Sequence, residues 1–440
     1  MLQKYNILPF LKSKHRNLLD KRIRSIKLLK FLTIMKPNNK NVGLLVLVAA
    51  LGYFVDIYDL IIFSIVRIQS FEDIGVPAAL MRAEGEYVLN MQMAGLLLGG
   101  VIWGILADKY GRIKVLFGSI LLYSLANIYN GFVQDVNTYA IIRFIAGIGL
   151  AGELGAGITL VSEAMSKHKR GYGTMIVAGV GVLGAILAYY VSEWFDWRTA
   201  YFVGGGMGLL LLFMRVGTFE SGLYEQTSRK TDIQKGSLQL LFRSKERILR
   251  YFYCLCIGLP IWFVVGVLVT QAPEIGKALQ ADTVLSAGKG VMFTYLGISI
   301  GDFLAGLLSQ VLKSRKKVVF MCQILILVSS FFYLNSTGIT EVKFMILAFV
   351  MGLGVGYWAT FVTISAEQFG TNLRATVATT APNFVRGALI PSTLFYGYLV
   401  RIWGIVPAAM TTITILSAIA IFALSRLKES FDKDLNYDEE

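Results

Sequence analysis

Charged residues, histidine and cysteine are all scarce in this sequence. Charged side chains make up 16% of the 440 residues, below the roughly 25% of a soluble domain, so much of the surface does not face water. The two histidines lie outside the apolar runs and the three cysteines lie within them. The sequence offers no cluster of His, Cys and carboxylates for a catalytic metal, so we expect no metal and no other cofactor.

Long apolar runs recur from residue 43 to residue 426. Each is about 20 residues long, enough to cross roughly 30 Å of hydrocarbon as a helix. The runs are continuous rather than alternating, which favours helices over a membrane barrel. Glycine is frequent inside them, and small residues in membrane helices allow close contact between neighbours. The pattern predicts an all-α membrane protein with twelve transmembrane helices.

Basic residues are unevenly distributed along the chain. Residues 1–42 contain eleven Lys and Arg against one acid, Asp20, and further basic clusters follow the even-numbered runs. The loops at the other ends of the runs are mixed or acidic. This positive-inside pattern predicts a multi-pass protein of the plasma membrane (the inner membrane in a bacterium) with both termini in the cytoplasm. We expect the basic arm to bind anionic lipids rather than nucleic acid.

Two motifs recur at an offset of about 202–204 residues, which indicates an internal duplication. They are Gly104–Lys114 with Gly306–Lys316, and Glu163-x6-Arg170 with Glu367-x6-Arg374. The sequence therefore predicts two homologous six-helix halves. The predicted segments are a basic arm (1–42), the first half (43–217), a cytoplasmic linker (218–249), the second half (250–426) and a cytoplasmic tail (427–440).

The loop Asp108-Lys-x-Gly-Arg112 resembles the signature loop of the major facilitator superfamily, and Arg143 with Gly147-x-Gly149 resembles its second motif. The resemblance covers residues 43–426 and implies a secondary transporter whose loops form an inner latch. A carboxylate at a helix end can cap a neighbouring helix and pair with Arg. The alternative is that these motifs have no gating role and only orient the short loops. The expected gating residues are Asp108, Arg112, Lys114, Arg143, Glu163, Arg170, Arg315, Glu367 and Arg374.

Five ionisable residues fall near the middle of apolar runs, where a charge is costly and marks a functional candidate. They are Asp56, Asp59, Glu153, Asp302 and Arg386. Asp56 and Asp59 are three residues apart, which predicts that both carboxylates share one helix face, where mutual repulsion favours proton uptake. These two and Glu153 are the expected proton carriers, and the role of Asp302 is left open. The alternative is a set of buried structural pairs, Glu153 with Arg143 or Asp302 with Arg386.

The stretch Asn383-x-x-Arg386-Gly…Pro391 resembles the organic-ion transporter and aromatic-acid:proton symporter branches of that superfamily. The resemblance implies an anionic substrate, and a guanidinium can bind a carboxylate through two hydrogen bonds. The Asp-x-x-Asp pair is also similar to that of the aromatic-acid symporters, although Ile57 and Tyr58 stand between the acids here. The expected substrate-binding residues are Arg386, Asn383, Tyr58, Trp262, Gln271, Tyr357 and Trp358.

These features predict a proton-coupled symporter of a small organic anion that acts as a monomer and uses the proton gradient. Export of cationic or amphipathic compounds is an alternative that the intramembrane acids favour and Arg386 opposes. A sugar or metabolite transporter is another. A receptor on the same fold is less favoured, and so is an enzyme, because the sequence lacks a nucleophile–base set.

Overall fold

The computed structural model describes residues 39–110, 112–152, 170–219, 241–431 and 439. All regular elements in these ranges are helical, which confirms the predicted all-α class. The helical bundle belongs to one compact unit that begins at Val46.

The first part of the bundle consists of long, mostly uninterrupted helices. They are α1 (Asn39–Asp73), α2 (Met81–Tyr110), α3 (Arg112–Asn130), α4 (Val136–Leu150), α5 (Arg170–Trp194) and α6 (Trp197–Phe219). The Asp135 carboxylate caps α4 by accepting a hydrogen bond of 2.9 Å from the backbone N–H of Thr138. Such a cap satisfies one of the N–H groups that a helix start leaves without a partner.

The second part contains more helices, many of them shorter, and several follow one another with little or no loop. They are α7 (Lys245–Cys256), α8 (Leu259–Phe263), a π-helix (Val264–Val269), α9 (Ala272–Ala278), α10 (Ala287–Val311), α11 (Arg315–Leu334), α12 (Glu341–Val355), α13 (Trp358–Glu367), α14 (Thr371–Gly387), α15 (Leu389–Trp403) and α16 (Ile405–Arg426). Three apolar runs of the sequence are therefore broken: α7–α9, α12–α13 and α14–α15.

Eight stretches of the described chain are long and apolar enough to cross a membrane: Val46–Asp73, Met81–Leu106, Trp197–Arg215, Lys245–Val269, Ala287–Val311, Arg315–Leu334, Glu341–Glu367 and Ile405–Arg426. Three shorter apolar helices are Val115–Asn130, Val136–Leu150 and Gly179–Trp194. Large apolar side chains such as Phe303 and Leu307 are exposed on α10, as on a surface that faces lipid. The predicted total of twelve spans stays a prediction.

Glycines bring two pairs of helices together in the same way. A Cβ added to Gly147 would lie 2.3 Å from the carbonyl oxygen of Gln92, so α4 packs directly on the backbone of α2. A Cβ added to Gly352 would lie 2.2 Å from the carbonyl oxygen of Thr294, so α12 packs likewise on α10. Both contacts confirm the close helix packing expected from the glycine content.

Candidate functional site

The break between α14 and α15 places a buried arginine near the middle of a long apolar segment. Pro382 lies inside α14, and Pro391 follows the break at Ala388. Proline removes a helical N–H donor and its ring crowds the preceding turn, which favours a bend here. Arg386 lies in the last turn of α14 and is 4% exposed.

A second break separates α7 from α8, and Trp262 lies on the short α8 that follows it. The carbonyl oxygen of Ile257 at this break accepts hydrogen bonds from the Tyr357 hydroxyl (2.7 Å) and from Gln323 Nε2 (3.3 Å). Gln323 Nε2 also lies 2.6 Å from the Tyr357 hydroxyl oxygen. The structure thus places Tyr357 in a fully buried network that supports the break. Its predicted contact with substrate stays a prediction.

The third break, at Gly356 and Tyr357, gives α13 an N-terminus inside the bundle. A Cβ on Gly356 would lie 2.6 Å from the Cα of Gly301, so the α10 backbone passes directly beside the break. The next residue of α10, Asp302, accepts a hydrogen bond of 2.9 Å from the backbone N–H of Ala359. A carboxylate at this position compensates the positive end of the helix dipole.

Arg386, Trp262 and Trp358 meet where the three breaks converge. The guanidinium carbon of Arg386 lies 5.4 Å from the ring centroid of Trp262 and 5.6 Å from that of Trp358. The two indoles are 6.1 Å apart in an edge-to-face arrangement. Each cation–π contact is worth about 0.5–2 kcal/mol. Arg386 Nη1 also donates to Asn383 Oδ1 at 3.3 Å, so four of the predicted binding residues lie together or in direct contact.

Residues from α1 and α10 complete this site. Tyr53 on α1 interacts electrostatically with Arg386 and Asp56. Tyr295 on α10 likewise interacts with Arg386 and Tyr53. We call this group the central cluster: Tyr53, Asp56, Trp262, Tyr295, Trp358 and Arg386. Tyr53 and Tyr295 were missed in the sequence because tyrosine is common in these runs and nothing local distinguishes these two.

Asp59 lies in a different environment from Asp56. Arg143 is fully buried. It donates hydrogen bonds of 2.7 Å to the backbone carbonyl of Asp59 and of 2.9 Å to Asn127 Oδ1. The Asp59 carboxylate interacts electrostatically with Tyr58 and Tyr201. Asp59 thus faces α4 and α6, whereas Asp56 interacts with the central cluster. The prediction that both carboxylates share one helix face stays a prediction, and so does their role as proton carriers.

The Tyr58 side chain is also directed into this first part of the bundle. Its hydroxyl donates a hydrogen bond of 2.8 Å to the carbonyl oxygen of Ala200, and the residue is fully buried. The structure brings Tyr58 next to Asp59 rather than to Arg386. The predicted role of Tyr58 in substrate binding stays a prediction.

A buried ion pair joins α1 to α9 at one end of the bundle. Arg67 donates to Glu274 Oε1 at 2.6 Å and to Glu274 Oε2 at 2.8 Å. It also donates to the carbonyl oxygens of Met81 and Thr270 at 3.0 and 3.1 Å. The sequence shows Arg67 only as the first cation after an apolar run, and a pairing over 207 positions cannot be read from it. We call this pair the end clamp.

Gln271 lies beside the end clamp and links three helices. Its Nε2 donates a hydrogen bond of 2.9 Å to Glu86 on α2, and its Oε1 accepts a hydrogen bond of 3.1 Å from the Tyr396 hydroxyl on α15. Arg82 pairs with the same Glu86 at 2.5 Å. The structure thus places Gln271, a predicted binding residue, in a network away from Arg386.

One pair of predicted latch residues is joined in the structure. Arg315 at the start of α11 donates to Glu367 at the end of α13 at 2.7 Å. The predicted pairing of Glu367 with Arg374 stays a prediction. Side chains of six predicted residues lie outside the described part of the chain: Asp108, Arg112, Lys114, Glu153, Glu163 and Arg170.

Broken apolar helices around a buried cation, with lipid-facing side chains outside, define a multi-pass α-helical membrane protein. The sequence profile of the Major Facilitator Superfamily matches residues 45–389. The chain belongs to this family, whose members are transporters and not enzymes. The resemblance noted in the sequence is thereby confirmed.

Similar proteins fall within the same class. A Bacillus subtilis protein named as a candidate niacin/nicotinamide transporter is 25% identical over 79% of this chain and 87% of its own length. The cis,cis-muconate transport protein of Acinetobacter baylyi is 26% identical over 79% of this chain and 86% of its own. The crystal structure of a D-xylose-proton symporter has a TM-score of 0.65 and 16% identity, and covers 89% of this chain and 99% of its own. At that identity the likeness shows the fold alone.

Proposed function

We propose that the chain is a proton-coupled symporter that carries a small organic anion by alternating access of two six-helix halves, 43–217 and 250–426. Eight long spans, three shorter apolar helices and the α14–α15 segment support a total of twelve. Both termini lie in the cytoplasm in this proposal, because the basic clusters follow the positive-inside pattern. The chain acts as a monomer, and its basic arm binds anionic lipids.

The observation that carries the proposal is the buried guanidinium of Arg386 between two indoles. Its hydrogen-bond partner Asn383 is neutral, and Asp56 is the acid that interacts with it electrostatically among the described residues. A buried cation is costly unless an anion compensates it. A carboxylate substrate would supply that charge, and its planar part would lie against Trp262 and Trp358. One relative is named for niacin and its amide, nicotinamide, and another for cis,cis-muconate, and the two unsaturated acids among these names support this substrate class.

The proton pathway in this proposal begins at Asp56. Asp56 is buried on α1 and interacts electrostatically with both Tyr53 and Arg386. An anion bound at Arg386 therefore disfavours a negative charge on Asp56, so anion and proton would bind together. Asp59 and Glu153 remain further candidates for proton transfer.

Binding of nicotinate and of its uncharged amide, nicotinamide, to the purified protein tests the proposal. The two molecules share a ring and differ in charge, so tryptophan fluorescence titrations isolate the role of the carboxylate. We expect nicotinate to bind and nicotinamide to bind far more weakly. Arg386→Gln should weaken nicotinate binding about 10- to 150-fold, as for loss of a charged hydrogen bond worth about 1.5–3 kcal/mol.

Arg198→Gln is the matched control for this experiment. Arg198 also lies over an indole, 4.2 Å from the Trp197 centroid, but it pairs with Asp73 away from the central cluster. We expect its variant to bind nicotinate as the unchanged protein does. Equal binding of nicotinate and nicotinamide, unaltered by Arg386→Gln, would refute the proposal.

A further inference from the structure

The side-chain amide of Asn383 joins Arg386 to the first proposed half of the chain. Its Oδ1 accepts a hydrogen bond of 3.3 Å from Arg386 Nη1, three residues further along α14. Its Nδ2 donates a hydrogen bond of 3.3 Å to the carbonyl oxygen of Ala151, 232 positions away at the end of α4. Asn383 is 1% exposed, so both hydrogen bonds are shielded from water.

The backbone of α2 holds this amide in place. A Cβ added to Gly100 would lie 3.0 Å from Asn383 Nδ2 and 3.2 Å from the Asn383 Cβ, so the amide packs directly against the α2 backbone. A Cβ added to the preceding Gly99 would lie 2.9 Å from the Cβ of Ala151, so α2 is equally close to the end of α4. Gly99, Gly100 and Ala151 therefore form one surface, the α2–α4 surface, on which the Asn383 side chain lies.

The hydrogen bond to Asn383 decides which edge of the Arg386 guanidinium an anion meets. Nη1 is bonded to Asn383, whereas Nε is buried and has no hydrogen-bond partner among the described residues. A carboxylate binds a guanidinium best through two parallel hydrogen bonds, and Nε with Nη2 forms the edge that Asn383 does not occupy. A guanidinium that is already held at Nη1 also loses less conformational entropy when it binds an anion.

We infer that Asn383 couples anion binding to closure of the two halves at the α2–α4 surface: closure fixes the amide, and the amide holds the Nε edge of Arg386 ready for the anion. The inference rests on the proposed function of the central cluster as an anion site. When the α2–α4 surface moves away, Asn383 loses its hydrogen bond to Ala151 and Arg386 loses a fixed partner. The anion is then bound more weakly and leaves on that side, and by reciprocity a bound anion favours closure. Asn383 is thus a positioning residue that acts through Arg386.

Gly100→Ala tests this inference from the opposite half. The added methyl group displaces the Asn383 amide, while every side chain of the central cluster stays unchanged. Tryptophan fluorescence titration should show nicotinate binding weakened about 2- to 12-fold, as for loss of one neutral hydrogen bond. Asn383→Ala should weaken it at least as much. Gly206→Ala on α6 is the matched control, because this glycine is exposed and an added Cβ meets nothing within 4 Å; it should leave binding unchanged.

A double-mutant cycle distinguishes positioning from a general loss of packing. If Gly100→Ala acts through the amide, it should have no further effect on nicotinate binding in the Asn383→Ala background. A merely structural role predicts instead that the two effects add. Unchanged nicotinate binding in either single variant, or additive effects in the double variant, would overturn the inference.

Cross-linking without substrate follows the closed contact itself. A Cβ added to Gly387 would lie 3.1 Å from the Leu97 Cβ, close to the roughly 3.5–4.5 Å of a disulfide. Leu97→Cys and Gly387→Cys, placed in a chain whose native cysteines are Ala, should therefore form a disulfide when α2 and α14 are in contact. We expect Asn383→Ala and Arg386→Gln each to slow this cross-linking at least about twofold. Arg386→Gln should have no further effect in the Asn383→Ala background.

This measurement separates the inference from the proposed function. If the unchanged protein binds no nicotinate but the cross-linking rate depends on both Asn383 and Arg386, the anion site fails while the coupling of Arg386 to the closed halves stands. A cross-linking rate that either variant leaves unchanged, or that Gly206→Ala lowers equally, overturns the coupling.

Discussion

Replacing Glu274 with Gln removes the carboxylate that holds Arg67 in the end clamp. The Arg67 side chain is 2% exposed and that of Glu274 is 17% exposed. Breaking a fully buried pair costs about 3–5 kcal/mol. Arg67 keeps its hydrogen bonds to Met81 and Thr270, so we expect a smaller loss of about 2–3 kcal/mol.

That loss applies only to the state in which this end of the bundle is closed. Since about 1.4 kcal/mol corresponds to a factor of ten, the equilibrium should shift roughly 30- to 150-fold toward the state open at this end. The shift follows from alternating access because α1 belongs to the first proposed half and α9 to the second. We therefore expect the pair to act as a gate between the two proposed halves.

Labelling of Leu89→Cys by a membrane-impermeant maleimide measures this equilibrium. Leu89 is 3% exposed, and its Cδ2 lies 3.4 Å from a Cβ added to Gly266 in the π-helix, so it is covered in the closed state. The three native cysteines are first replaced by Ala. We expect Glu274→Gln to increase the labelling rate at least about tenfold.

Glu341→Gln provides the control for the labelling experiment. Its partner Lys289 is 2.8 Å away, but both residues belong to the second proposed half and are partly exposed. Such a pair contributes about 0–1 kcal/mol and does not join the halves. An unchanged labelling rate in Glu274→Gln, or an equal increase in Glu341→Gln, would refute the role of the end clamp.

Two further predictions concern stability. Gly352→Ala should lower the thermal unfolding temperature, because its Cβ would meet the Thr294 carbonyl and overpacking costs about 1–3 kcal/mol. Gly306→Ala is the control and should leave the unfolding temperature unchanged, because nothing lies within 4 Å of a Cβ added there. Burial raises the pKa of Glu429, but hydrogen bonds from Ser314 and neighbouring backbone N–H groups outweigh it and lower the pKa below 4.5. Because the folded-state pKa is depressed, Glu429→Gln should destabilise the protein near pH 7 and match it once the pH falls through that lower pKa; a constant difference across pH would contradict this.

The helical class and the main members of the central cluster could be predicted because each depends on local sequence. A cation within an apolar run, such as Arg386, can be recognised from the sequence alone, whichever helices the run packs against. The glycines at 147 and 352 mark close contacts because only a missing side chain allows two helix backbones to meet. These features do not depend on which residue lies opposite.

The break at Gly356 and the clamp at Arg67 could not be predicted because each depends on a partner far along the chain. Asp302 lies 57 residues from Ala359, and Arg67 lies 207 residues from Glu274. The two acids of α1 show the same limit at short range. Three residues rotate a helix by about 60° from a full turn, and because most of α1 is buried, that rotation is enough to give Asp56 and Asp59 different neighbours.

Flux of nicotinate into proteoliposomes tests the central claim most directly. With the outside more acidic than the inside, we predict accumulation above that of protein-free vesicles. It should be abolished by a protonophore and by Arg386→Gln, and nicotinamide should not accumulate. Flux of nicotinamide or of D-xylose with none for nicotinate or another unsaturated carboxylate would contradict the assignment of this transporter to organic anions.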